Sequence, residues 1–173
     1  MHIAPHNFTH SPVEEVICGF TPENSHKVEI TIPLPYPGWL PIREKIAAAL
    51  GGISHTEAIH SCLLRYTDSF HLSDGDIPDQ LISIAPKVPK AMQNLILAGP
   101  VSEMTIAGSA TNTEITTRFV QKNRRMILIF MAQSKESQMI ERDSALSWFD
   151  SSREDIHSLF DMIVSKDLIQ RIT

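Results

Sequence analysis

The sequence predicts an α+β fold: one mostly antiparallel sheet of about six strands with helices packed on it. Three observations lead there. "KVEITIPL" alternates apolar and polar residues with the period of a half-buried strand. The stretch from Ser151 onward repeats apolar residues at helical spacing. Between them, strand and helix patterns follow one another in the order β-β-α-β-α-β-β-β-α, without the regular alternation that builds a parallel sheet.

The elements follow in order. "VEEVICGF", residues 13–20, reads as a first strand bracketed by Pro12 and Pro22, since proline is tolerated at strand ends. In the second strand Val28, Ile30, Ile32 and Leu34 share one face, with Glu29 and Thr31 on the other. "PLPYPGW" then breaks regular structure, because three prolines in five residues leave few backbone donors. "WLPIREKIAAALGG" is a helix with Pro41 in its first turn and Gly51-Gly52 past its last. Trp39, Ile42, Ile46 and Leu50 form its apolar stripe.

A long strand spans Glu57 to Leu72. Strict alternation puts Ala58, His60, Cys62, Leu64, Tyr66, Asp68 and Phe70 on one face. Ile59, Leu63, Arg65, Thr67 and His71 fall on the other. Both faces are apolar at its start, so the strand should be central and covered on both sides. "SDGDIPDQL" is a turn with Asp76 as helix N-cap and Pro78 in the first turn. The following helical pattern runs to about Leu97, kinked or split at Pro86 and Pro89, and ends at Gly99-Pro100. Strands are expected near 101–109, 113–121 and 125–132, the last two joined as a hairpin by "QKN". Residues 133–149 fit a loop, a short helix or a last strand. The C-terminal helix is expected to start at a capping box of Ser151 and Glu154, with Ile156, Leu159, Phe160, Ile163 and Val164 on its buried side.

The chain of 173 residues suits a single domain, with residues 1–11 as a flexible N-terminal extension. A formal net charge of −5 and no basic run beyond Arg124-Arg125 argue against a nucleic-acid partner. The N-terminus lacks the basic and apolar regions of a signal peptide, and "MILIFMA" is too short to cross a bilayer. A cytoplasmic location and no membrane partner are therefore expected. Cys18 and Cys62 lie in apolar strands and read as buried free thiols rather than a disulfide framework. "RRMILIFMA" is apolar on both faces and should be interior, or covered by a second subunit as a homodimer.

Several segments resemble a known group. The opening "SPVEEVICGF", then Tyr36-Pro-Gly-Trp39 leading into a helix, then Leu64-Arg65-Tyr66-Thr67-Asp68 in a strand are similar to motifs of a sporadically distributed family of uncharacterised bacterial and archaeal proteins. The proline-interrupted "IPDQLISIAPKVPKAM" and the final "EDIHSLFDMIVSKDL" resemble that family as well. The chain looks like a shortened form, lacking a part between Phe20 and Lys27, and Asp68 stands where the family more often has Asn. The resemblance implies no activity, because the family has none established.

Candidate site residues cluster in two places. Arg65, Tyr66, Asp68 and His71 put hydrogen-bonding groups on an otherwise apolar strand, where a guanidinium can anchor a carboxylate or phosphate. Strand alternation separates Tyr66 and Asp68 from Arg65 and His71. The structural reading gives Arg65 an acid such as Glu29 or Asp155 as partner, which would orient the last helix. Tyr36 and Trp39 can wall a ligand pocket, or fix how the helix meets the sheet. His2, His6 and His10 recur at four-residue spacing, but Pro5 and Pro12 oppose the helix a metal site would need. Asp74, Asp76 and Asp79 lack the remaining ligands of a calcium loop. No catalytic or nucleotide-binding motif is present, and no metal or cofactor is expected. The expected function is a non-enzymatic module that binds a small molecule or partner protein. The alternative is an enzyme acting on a small anionic substrate through Arg65 with Asp68 or His71.

Overall fold

A computed structural model describes residues 13–24, 26–32, 36–71, 103–109, 113–122, 125–135 and 139–164. The expected α+β architecture is present. Seven strands form one antiparallel sheet: β1 (Val13–Pro22), β2 (Val28–Ile32), β3 (Ala58–His71), β4 (Glu103–Ser109), β5 (Thr113–Lys122), β6 (Arg125–Ser134) and β7 (Ile140–Glu141). Among the described residues two helices accompany it, α1 (Trp39–Gly51) and α2 (Arg142–Ile163). The sheet order is β2-β1-β3-β6-β5-β4, with β7 also paired to β3. The helix expected after Asp76, the three N-terminal histidines and the Asp74–Asp79 turn lie outside the described residues.

β3 is central, as its composition implied. One edge pairs with β1 and the other with β6 and then β7. β6 and β7 share that second edge, separated by a break in the ladder. Near the break, the Cys62 backbone N–H donates to Ser134 Oγ at 2.8 Å. The hydroxyl stands in for a strand carbonyl, because a buried N–H left unpaired is costly.

Both helices pack on the face carrying Cys62, Leu64, Tyr66 and Phe70. These join Val16, Cys18 and Phe20 of β1, Leu128 and Phe130 of β6, and Ile42, Ile46 and Leu50 of α1 in one core. Ile156 and Ile163 of α2 are buried in it, while Leu159 and Phe160 pack partly buried against it. The opposite face carries Leu63, Arg65, Ile127, Ile129 and Met131, all half-buried.

Two expectations need correction. Strict alternation fails at the start of β3, where Ile59 is buried and His60 exposed. The pairing with β1 slips between Thr21 and Pro22, so that Ser61 and Ile59 face successive β1 residues. The extra residue turns Ile59 into the core. The last helix begins at Arg142, nine residues before Ser151, and its N-cap Glu141 makes no side-chain cap. The ambiguous 133–149 stretch thus holds the end of β6, the short β7 and the first two turns of α2. Ala145, Trp148 and Phe149 extend the apolar stripe of the helix backward into the core, and that burial outweighs the local capping signal. β6 takes the first of the two placements expected for it, interior to the sheet with β3 on one edge and β5 on the other.

Candidate functional site

The two helices meet at their ends through charge. Arg142, in the first turn of α2, donates Nε to the Leu50 carbonyl of α1 at 3.0 Å and touches His55 Nδ1. A cation at a helix C-terminus answers the exposed carbonyls there. At the other end of α1, Trp39 Nε1 donates to Asp150 Oδ1 at 2.8 Å. Arg43 Nε donates to both oxygens of the same carboxylate, at 3.0 and 2.9 Å. Asp150 therefore clamps the first turn of α1 to the middle of α2. The chain reaches that turn through Gly38, whose φ of 86° and ψ of 174° suit only glycine.

Beside this clamp lies the junction of α1, β3 and α2. Tyr66 rises from β3 into it and is only 4% exposed. Its ring meets Tyr36 edge to face, with centroids 6.2 Å apart, and meets His157 likewise at 6.3 Å. Arg153 Cζ lies over the Trp39 ring, 5.7 Å from its centroid, as in a cation–π contact. Asp150, Arg153 and His157 are spaced three and four apart, so they line one face of α2.

The hydrogen bonding here is incomplete. The hydroxyls of Tyr36 and Tyr66 and the Nε of Arg153 are buried without a hydrogen-bond partner. Tyr36 acts on Tyr66 both by charge and by a hydroxyl–hydroxyl contact, which falls short of full hydrogen-bond geometry and gives the two phenols no partner but each other. Burial, with a smaller push from Tyr36, holds the Tyr66 phenol well above its usual range. His157, exposed at the rim, has its imidazole held below its ordinary value by desolvation of its inner edge and by Arg153, with Asp161 opposing. The junction thus presents two phenol hydroxyls, that of Tyr66 kept protonated by burial, and one guanidinium donor, with a neutral imidazole favoured at the rim.

No family model, curated protein or solved structure matches this chain. The site therefore rests on its own geometry. Among the described residues no group of His, Cys, Asp or Glu is arranged to hold a metal ion, and no helix is long and apolar enough to cross a membrane.

Of the expected site residues, Tyr36, Trp39 and Tyr66 come together. Asp68 shares their face of β3 and is 3% exposed. Arg65 is on the other face, where Nη2 donates to Glu15 Oε2 at 2.9 Å. Its acid is thus Glu15 rather than Glu29 or Asp155. His71 ends β3 at a register position opposite Arg125. Arg153, His157 and Asp150 are the residues the sequence reading missed. Their spacing was available, but with the helix expected to start at Ser151, Asp150 had no helical neighbours to line up with.

Proposed function

We propose that this protein is a non-enzymatic binding module whose seat is the α1–β3–α2 junction and whose occupant is a small molecule. The observation that carries the reading is the Tyr66 hydroxyl, almost wholly buried beside the equally unpartnered hydroxyl of Tyr36. A buried polar group left unmade costs on the order of 1–3 kcal/mol. Two side by side favour a site that is completed from outside. Aromatic walls with a few convergent polar groups are the usual composition of a ligand seat.

Binding is favoured over catalysis by the character of the groups. The Tyr66 phenol is held far from ionisation by burial, so it is not a base near neutral pH. The enzyme reading through Arg65 has less support, because Arg65 is engaged with Glu15 on the face opposite Tyr66 and Asp68.

The test is a titration of isotope-labelled protein with neutral, cationic and anionic fragments, followed by NMR. Shifts concentrated at Tyr36, Trp39, Tyr66, Arg153 and His157, with each fragment recovered unchanged, are expected. If no fragment of any charge perturbs these residues, the reading is wrong.

A further inference from the structure

We infer that the occupant of this seat carries a single negative charge on a planar carboxylate. The inference rests on the binding-module reading and adds the ligand class.

Tyr36 and Tyr66 each offer an O–H, and Arg153 offers its Nε–H. One phenol can donate to the other, so a ligand that satisfies the remaining O–H and the Arg153 Nε–H must bring two acceptor lone pairs to one place, as a carboxylate does.

Arg153 is held by an aromatic ring and not by an acid. Among the described residues no carboxylate lies within ion-pair distance of it, unlike Arg43 with Asp150 or Arg65 with Glu15. Its Cζ sits over the Trp39 ring, which covers one side of the guanidinium. A guanidinium held by its face still offers in-plane N–H donors, and those match the two oxygens of a carboxylate.

The seat holds Arg153 as a cation, with Asp150 already claimed by Arg43 and Trp39, Asp161 acting on His157, and the buried Asp68 of the Tyr66 face engaged in an interaction of its own. One negative charge neutralises Arg153. A phosphate dianion would leave an excess charge close to these acids, where like charges repel.

Sodium benzoate, benzamide and inorganic phosphate test the assignment on the full chain. Benzoate and benzamide have nearly the same shape and differ in charge. Benzoate should shift the Arg153 Nε–Hε and His157 ring resonances saturably, with benzamide about tenfold weaker or more. Arg153→Gln should lose about tenfold or more in benzoate affinity while unfolding at a similar temperature. Tyr66→Phe, which removes a buried unpartnered hydroxyl and so should fold at least as well, should weaken benzoate several-fold. Equal binding of benzamide and benzoate at the junction would overturn the anion assignment and leave the binding module standing. Tighter binding of phosphate than of benzoate would overturn the single-charge carboxylate. Failure of all three probes would overturn the inference, and the fragment titration then decides whether the seat binds anything.

Discussion

Arg65 and Glu15 form an ion pair diagonally across the β1–β3 ladder, with Nη2 2.9 Å from Oε2 and side chains that keep 36% and 39% of their exposure. Arg65 also lowers the carboxyl of Glu29, whose main partner is Lys27. The pair is therefore a surface device of the sheet rather than a buried bridge. Arg65→Met should destabilise the fold by only about 0.2–1 kcal/mol, because solvent screens the attraction. Urea unfolding at low and high salt checks this. The difference from the parent should shrink as salt rises.

Asp150 is a different case, because one carboxylate accepts from two residues of α1. Asp150→Ala should cost about 1.5–3 kcal/mol, the range for hydrogen bonds to a charged group. Trp39 loses its indole partner at the same time. Denaturant unfolding gives the energy, and a change in native tryptophan emission reports the local loss.

Ser134→Ala removes the acceptor of the buried Cys62 N–H. An unsatisfied buried amide costs about 1–3 kcal/mol, and Ser134→Thr should recover part of it. Hydrogen exchange at the Cys62 amide should accelerate in the alanine variant well beyond the global loss of stability.

Gly38→Ala meets no neighbour, since nothing lies within 4 Å of the added methyl. Its cost comes from the backbone alone, about 1–3 kcal/mol for a φ and ψ that alanine rarely adopts. A thermal melt should show the loss. A cost near zero would mean that the turn before α1 readily takes another path.

Burial pushes the thiols of Cys18 and Cys62 from 9.0 up to about 12. Above pH 9 the unfolded chain releases these protons while the folded chain retains them. Folding stability should therefore be intact below about pH 9 and fall as pH rises toward 12. The Cys18→Ala, Cys62→Ala double variant should show a flatter decline over that window. Both thiols should also resist alkylation at pH 8 until the chain is unfolded.

Much of this fold could be read locally. The stripe of Ile42, Ile46 and Leu50 and the alternation from Cys62 to Phe70 each lie within one element, so their periods alone reveal which side is buried. Arg65 and Tyr66 could likewise be assigned to opposite faces, because adjacent strand residues must diverge. Tertiary structure decided the rest. Ile59 turns inward through a slip in pairing with β1, and pairing partners are not visible in a single segment. The last helix starts at Arg142 because Trp148 and Phe149 have a sheet to bury against, and that burial outweighs the capping signal at Ser151. The candidate site joins Tyr36, Tyr66, Arg153 and His157 across as many as 121 positions of sequence. The sequence alone determined which faces are apolar, since side-chain direction is a local property. Which polar groups meet on them was decided by long-range packing, which depends on partners distant in the chain.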